Sequence, residues 1–187
     1  MSNDAQNEVP DWPAFNLPEV DRLQAGLMRC AEQALGPRNH DFSIAPARFV
    51  TGATGCTERI GNEITIELEL NAAKDWQCCV AELGHELVHA LDGLTGYPTV
   101  LEEGIACAFG LGQCAGWFDG ETPLYLCTGR YREAMTMATS IPQPFAVVRT
   151  LRAQGIPIHR ITPRDLVSLA PGVDEAVARN LCTRFSP

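Results

Sequence analysis

Two histidines and a glutamate stand at a spacing that suits metal chemistry. In the stretch GHELVHALD, residues 84–92, His85 and His89 are four positions apart, and Glu86 directly follows the first histidine. Residues four apart lie on the same face of an α-helix, so both imidazoles can reach one ion. Neutral imidazole is a natural zinc ligand, and the glutamate can contact a water at the metal without binding the ion itself. The spacing predicts a zinc site, against the alternative of a histidine pair packed in the core.

The residues around this pair have the pattern of an amphipathic helix. At 100° per residue the apolar side chains gather on one side, and the two histidines lie nearly opposite. These apolar positions are Trp76, Val80, Leu83, Leu87 and Leu91. Asn71 can cap the start of the helix and Gly93 can end it. We therefore expect a helix between these two residues that buries one face and presents the histidines on the other.

A zinc ion that does chemistry usually has three protein ligands and an open position, so a third ligand is needed. The stretch PTVLEEGIACAFG, residues 98–110, offers Glu102 and Glu103. Thr99 and Glu102 have the spacing of a helix capping box, which gives Glu102 a structural role. Glu103 has no such role, and it shares a helix face with small residues that permit close packing. We choose Glu103 over Glu102 as the third ligand.

HELVH followed by LEEGIA resembles the gluzincin branch of zinc metallopeptidases, which includes the thermolysin-like and aminopeptidase-like proteins. In that family a glutamate of an EGxA-type helix completes the zinc site, which supports Glu103. An edge strand before the HExxH helix lines the cleft and pairs with extended substrate, and NEITIELEL, residues 62–70, stands in that place. The resemblance is specific over residues 62–110 and implies a minimal zincin-like fold without the additional domains of the large members.

The resemblance also implies a mechanism and its residues. Zinc on His85, His89 and Glu103 would activate a water, and Glu86 would take its proton as the general base before passing it to the leaving amine. In resembling enzymes a tyrosine or histidine further along the chain stabilises the oxyanion. Tyr131 is the first candidate here, and Tyr125 and His159 are the next.

Three other polar residues lie near the motif. Asp92, three residues after His89 on the same helix face, either orients that imidazole, or even ligates the ion, or is exposed at the helix end. Cys78 projects from the metal side but lies two turns from His85, about 10 Å along the axis, too far to share the ion. Glu82 is expected to be solvated, with contact with the site as the alternative.

The overall order of elements predicts an α+β fold. Residues 1–17 are polar and broken by proline, which indicates an arm laid over the surface, and a single zincin-like domain follows over residues 18–187. Its upper part, about 18–93, contains a first helix up to Gly36, extended segments and the alternating strand 62–70 in a short mixed or antiparallel sheet. Its lower part, about 94–187, is mainly helical, with helices expected around 129–140, 143–154, 163–170 and 173–184.

Charge and composition limit the partners. A net charge of −9 gives no positive field for nucleic acid or anionic lipid, and neither partner is expected. No signal-like or membrane-spanning stretch stands out, so we expect a cytoplasmic protein, with export without a cleavable signal as the alternative. The eight cysteines include no CxxC pair, and we expect them to be reduced.

Two classes of function remain open at this point. The first is a zinc-dependent metallopeptidase that hydrolyses a peptide or protein substrate. The second is a regulatory or interaction domain that binds metal on a zincin scaffold without turnover. For the substrate, Glu63, Glu67 and Glu69 would favour basic peptides, whereas Arg130, Arg132 and Arg149 could instead hold a carboxylate.

Overall fold

The structure of the chain, a computed structural model, describes residues 11–51, 55–93, 96–118 and 127–186. Four strands precede most of the helices. The strands are β1 (Ser43–Ile44), β2 (Arg48–Phe49), β3 (Cys56–Ile60) and β4 (Glu63–Leu68). The α-helices are α1 (Leu17–Leu35), α2 (Trp76–Ala90), α3 (Val100–Trp117), α4 (Gly129–Thr139), α5 (Pro144–Ala153), α6 (Pro163–Leu169) and α7 (Glu175–Leu181). The result is a mixed α/β fold with a helical second half, in the predicted order.

The sheet is mixed, and β4 lies at its centre. β1 and β2 pair with β4 in parallel, and β3 pairs with it in antiparallel register, with Thr57 opposite Ile66. The expectation that NEITIELEL is the edge strand is therefore wrong, and β3 is the strand that borders the cleft. The error has a physical reason: the alternation of buried and exposed residues reports which face is covered, and it is the same for an edge and a central strand. The strand also ends at Leu68, so Leu70 is exposed rather than buried.

The helix α2 has different ends from those expected. Asp75 caps its start, with its carboxylate accepting from the backbone N–H of Cys78, and the helix ends at Ala90 rather than Gly93. Asn71 is not the cap, because it lies within a turn that precedes Asp75. The predicted apolar face is confirmed, since Val80, Leu83, Leu87 and Leu91 are all buried; Trp76 is partly exposed.

Small residues bring α2 and α3 into close contact, as the sequence predicted. A methyl group added at Gly110 would overlap the backbone oxygen of Ala81, and one at Gly84 would lie 3.1 Å from the Cα of Gly110. The first contact is closer than a side chain tolerates and the second is tighter than most side-chain contacts, so glycine sets the distance between the helices. This close crossing holds the start of α3 beside the histidines of α2.

Two clusters of buried apolar residues hold these elements. One joins the first half of α1 with β4, α2 and one side of α3, and the other joins the ends of α1 and α2 with α3, α4, α5, α6 and α7. The four later helices agree with their predicted positions within two to three residues. In the described part of the predicted arm, Ala14 donates its backbone N–H to Ala73. No helix in the described part of the chain is long and apolar enough to cross a membrane.

Candidate metal centre

The two histidines of the motif lie together on the face of α2 that meets α3. Their Nε2 atoms are 3.2 Å apart, and the ring planes are inclined by 70°. The side chain of His89 is 5% exposed and that of His85 is 16% exposed. The pair therefore lies at the bottom of a cleft, with His85 closer to solvent.

Glu103 faces both histidines from the first turn of α3. Its Oε1 is 3.0 Å from Nε2 of His85, and its Oε2 is 3.6 Å from Nε2 of His89. The carboxylate is buried. Three predicted ligands on two helices thus direct their donor atoms to one point.

The outer nitrogen of each imidazole has a partner of its own. Nδ1 of His89 is 3.3 Å from Oε1 of Glu102, and Nδ1 of His85 is 3.6 Å from Sγ of Cys107. A partner that accepts from Nδ1–H leaves the lone pair on Nε2, the nitrogen that points inward. Both side chains therefore orient the histidines from behind.

The predicted capping box forms only in part, because the side chain of Glu102 does not take part in it. Thr99 is the N-cap as expected, and its hydroxyl accepts from the backbone N–H of Glu102. The carboxylate of Glu102 does not return to Thr99 but turns inward to His89. Its Oε2 is buried and has no hydrogen-bond partner among the described residues. Sequence spacing alone could not distinguish the two directions, because both begin from the same helix position.

One group of side chains in this region could bind a metal ion. His85, Glu103 and Cys107 each offer one ligand atom, and these atoms all lie within 4.8 Å of one another. The other two members approach different nitrogens of the His85 ring: Glu103 lies next to Nε2 and Cys107 lies next to Nδ1. A hydrogen bond with Cys127, together with burial, raises the pKa of Cys107, which favours its neutral thiol.

Negative charge is in excess at this centre. The carboxylates of Glu86, Glu102 and Glu103 are 4%, 1% and 3% exposed, and among the described residues no lysine or arginine forms an ion pair with them. Burial opposes the charge on His89, yet the hydrogen bond with Glu102 and the nearby carboxylates raise its pKa to about 9. Burial likewise opposes the charge on His85, and Glu103 outweighs it and raises the pKa. In return, against its own burial, Glu103 has its pKa lowered by His85.

Glu86 lies beside the histidines without being part of the inner group. Its Oε1 is 3.9 Å from Nε2 of His85, and its Oε2 accepts a hydrogen bond of 2.7 Å from the hydroxyl of Thr57. Thr57 belongs to the edge strand β3. No motif in the sequence singles out this threonine, because the contact joins residues 29 positions apart.

An open cleft of about 650 Å³ leads to the histidines. Its walls come from β3, from the start of α2 and from the region around α4, including Tyr131 and Phe185. The ring of Tyr131 lies 6.4 Å from that of His85 and 5.1 Å from that of Phe185. Burial and the nearby carboxylates, Glu103 first, raise the pKa of Tyr131, so its phenol remains a hydrogen-bond donor.

Of the other two candidates for oxyanion stabilisation, one is described and lies away from this cleft. His159 lies on the short 3-10 helix Ile158–Arg160 and does not line it; its Nδ1 is buried without a partner among the described residues. Tyr125 lies outside the described residues. Of the three candidates, only Tyr131 is brought to the histidines by the part of the fold that is described.

Asp92 has none of its predicted roles: it neither orients His89 nor points to the metal centre, and it is not exposed. It forms an ion pair with Arg152, with Nη2 2.7 Å from Oδ1, and only 12% of its side chain is exposed. It is not directed at His89, because it follows the end of α2 and turns toward α5.

Glu82 and Cys78 both line the cleft. The prediction that Glu82 is solvated is wrong. Its carboxylate accepts from the backbone N–H of Glu69, and burial raises its pKa to about 7. Among the predicted substrate contacts, Glu69 lines the cleft, whereas Glu67 pairs with Arg48. The three predicted arginines do not line it; Arg130, Arg132 and Arg149 donate to the backbone oxygens of Ser186, Cys127 and Gln33.

Comparison with known proteins identifies no relative of this chain. No protein-family model matches the sequence, and no curated protein and no solved structure is significantly similar to it. The functional assignment therefore rests on the geometry of the centre itself.

Proposed function

We propose that this protein is a zinc-dependent metallopeptidase of the gluzincin type, with zinc held by His85, His89 and Glu103. The observation that carries the proposal is the convergence of two imidazole nitrogens and one carboxylate. Their donor atoms are separated by 3.0, 3.2 and 3.6 Å. Ligands at 2.0–2.1 Å from zinc in a tetrahedral arrangement lie roughly 3.4 Å apart. The side chains therefore have the spacing that a zinc site requires.

The charges of the centre support the same ligand set. Three buried carboxylates face two imidazoles, and burying an unbalanced charge is costly. A divalent cation supplies two positive charges, so both histidines can be neutral, as ligands must be, without any increase in the negative excess. The carboxylate of Glu102 at Nδ1 of His89 is the kind of partner expected behind a metal-binding histidine.

Cys107 is the less suitable ligand in this arrangement. It contacts Nδ1 of His85, whereas Glu103 and His89 both approach Nε2 of that ring. One ion binds one nitrogen of an imidazole, so a site that includes Cys107 would exclude His89. We assign Cys107 the role of holding the His85 ring.

The side chains around the ligands suit hydrolysis. Zinc, when bound, supplies a Lewis acid that makes water more acidic and polarises a carbonyl group. Oε1 of Glu86 faces the ligands, so this carboxylate is placed to accept a proton from water and to deliver it to the leaving amine of a peptide. The phenol of Tyr131 can donate to the oxygen on which negative charge develops. The open cleft gives an extended peptide access to these groups.

Metal binding is tested on the purified chain after removal of metal with a chelator. We expect the parent to bind one zinc ion tightly, and Cys107→Ser to retain this affinity within a few-fold. His89→Gln should lose it. If Cys107→Ser loses the zinc and His89→Gln keeps it, the ligand set is wrong and the alternative group is correct.

Catalysis is tested with a library of internally quenched peptides. The zinc-loaded parent should cleave members of the library, and Glu86→Gln should retain zinc but lose at least about 100-fold in kcat, as expected for a general base. Glu58→Gln is the matched control, because Glu58 is exposed on the strand that borders the cleft. Zinc binding with no cleavage by the parent would favour the second class of function, a metal-binding domain without turnover.

A further inference from the structure

The carboxylate of Glu86 is held at one oxygen only. Oε2 accepts a hydrogen bond of 2.7 Å from the hydroxyl of Thr57, while Oε1 lies 3.9 Å from Nε2 of His85. The same hydroxyl is 3.1 Å from the backbone oxygen of Glu86. The threonine therefore contacts the glutamate at both its main chain and its side chain, and it leaves the inward oxygen free.

Thr57 is itself in a fixed position. Its backbone lies in β3, opposite Ile66 of the central strand β4, and the side chain of Ile66 is fully buried. Threonine is branched at Cβ, which restricts rotation of its side chain. The sheet therefore holds the backbone of Thr57, and the branch at Cβ limits the positions that its hydroxyl can take.

We propose that Thr57 is a positioning residue, which fixes the Glu86 carboxylate so that Oε1 faces the metal centre. This proposal rests on the proposed function, in which Glu86 is the general base. A general base must lie within hydrogen-bond reach of the proton it takes, and a carboxylate that rotates freely meets this condition only part of the time. Misplacement of a catalytic group by about 1 Å can cost on the order of 100-fold in rate. The hydroxyl of Thr57 removes this freedom before any substrate binds.

The test compares three variants of the zinc-loaded chain. Thr57→Val removes the hydroxyl and keeps the shape, Thr57→Ser keeps a hydroxyl, and Thr65→Val is the matched control. Thr65 lies on the adjacent strand β4, and its hydroxyl has no hydrogen-bond partner among the described residues. The substrate is the quenched peptide that the parent cleaves fastest, and zinc content and urea unfolding are measured for each variant.

We expect Thr57→Val to lower kcat by about 10- to 100-fold with KM within about twofold and one zinc still bound. Thr57→Ser should recover most of the lost kcat, and Thr65→Val should match the parent. A Thr57→Val enzyme with the kcat of the parent would overturn the proposal, and so would a serine variant as slow as the valine variant.

A crystal structure of zinc-loaded Thr57→Val gives a readout that does not depend on activity. The Glu86 carboxylate should rotate or occupy several positions, whereas in Thr65→Val it should keep Oε1 toward the histidines. An unchanged carboxylate in Thr57→Val refutes the positioning role even if the enzyme is slow. If the parent binds zinc but cleaves no peptide, the proposed function fails separately, and the crystal structure still decides whether Thr57 fixes Glu86.

Discussion

Two buried charged clusters lie along α2, and only one of them is balanced. Just beyond the helix end, Asp92 meets Arg152 through two short contacts, Oδ1 to Nη2 at 2.7 Å and Oδ2 to Nε at 3.0 Å. Arg152 also donates to the backbone oxygens of Leu35 and Gly36, and Asp92 accepts from the backbone N–H of Ile158. This cluster joins α1, α2 and α5, and each charge has its partner within the chain.

The second cluster, one to two turns earlier, has the opposite character. It contains the carboxylates of Glu86, Glu102 and Glu103 around two histidines, and one oxygen of Glu102 has no partner among the described residues. It also opens to a cleft, whereas the Asp92 cluster is covered by the ends of three helices. The difference shows how to distinguish a structural ion pair from a site for a ligand. The first is complete without a ligand, whereas the second keeps an unpartnered carboxylate oxygen among the described residues and an open path for a ligand.

The largest expected effect concerns the unbalanced cluster. Glu103→Gln removes the carboxylate proposed as a zinc ligand and should weaken zinc binding by at least about 1000-fold, more than the loss expected for an outer partner. Competition with a chromophoric chelator measures the affinity. Glu133→Gln, an exposed change on α4, should leave it unaltered. Tight zinc binding by Glu103→Gln would remove this residue from the ligand set.

The balanced cluster should respond in stability and not in metal binding. Arg152→Met leaves Asp92 buried without its partner, which is expected to cost about 3–5 kcal/mol in the free energy of unfolding. Urea denaturation of the metal-free chain measures this loss. Arg149→Met, on the exposed side of α5, is the control and should cost less than about 1 kcal/mol. A loss of zinc stoichiometry in a folded Arg152→Met chain would contradict the separation of the two clusters.

Glu102 tests whether an outer partner belongs to the metal centre. Glu102→Gln should weaken zinc binding by about 10- to 100-fold, because His89 loses the carboxylate that orients it. Thr99→Ala gives the matched comparison: it removes the helix cap, costs about 1 kcal/mol in stability and leaves zinc affinity unchanged. If Glu102→Gln binds zinc as tightly as Thr99→Ala, Glu102 contributes to helix stability and not to the metal centre.

The pH dependence of stability should differ between the metal-free and zinc-loaded chains. The pKa of His89 is about 9 in the folded metal-free chain and 6.5 in the reference state. Its stabilising contribution is therefore fully present below pH 6.5 and is lost as the pH rises through 9. Between pH 6.5 and 8 we expect a decline on the order of 1 kcal/mol, since each unit of pKa shift corresponds to about 1.4 kcal/mol.

Zinc should remove this decline, because both histidines are then neutral ligands at all these pH values. His89→Gln should reduce it in the metal-free chain as well. The measurement is the difference in urea unfolding free energy between the metal-free parent and metal-free His89→Gln at several pH values from about 6.5 to 8. This difference cancels the contribution of other groups that titrate in the window, such as Cys127, whose pKa is lowered to about 7 by its hydrogen bond with Cys107. A difference that rises with pH over this range would contradict the assigned environment of His89.

Much of the site could be predicted from local spacing. The i, i+4 relation puts His85 and His89 on one face of α2, whatever the rest of the fold does. Periodic apolar residues likewise predicted α2 and the later helices, and the small residues of α3 predicted its close approach. These features depend on neighbours within one or two turns, and such neighbours are visible in the sequence.

Tertiary structure decided the partners that come from distant parts of the chain. The sequence contained equal reasons to place Asp92 near His89 or in solvent. The side chain of Asp92 reaches neither place, because it pairs with Arg152, which is 60 residues away in sequence but adjacent in space. Glu102 turned from its expected cap to His89, β4 became the central strand, and Thr57 met Glu86 across the crossing of β3 and α2. Side-chain type and helical period determine which groups can act together, whereas the packing of α2 against α3 and β3 determines which of them meet. Contacts between residues far apart in sequence are set by that packing, and no local pattern records it.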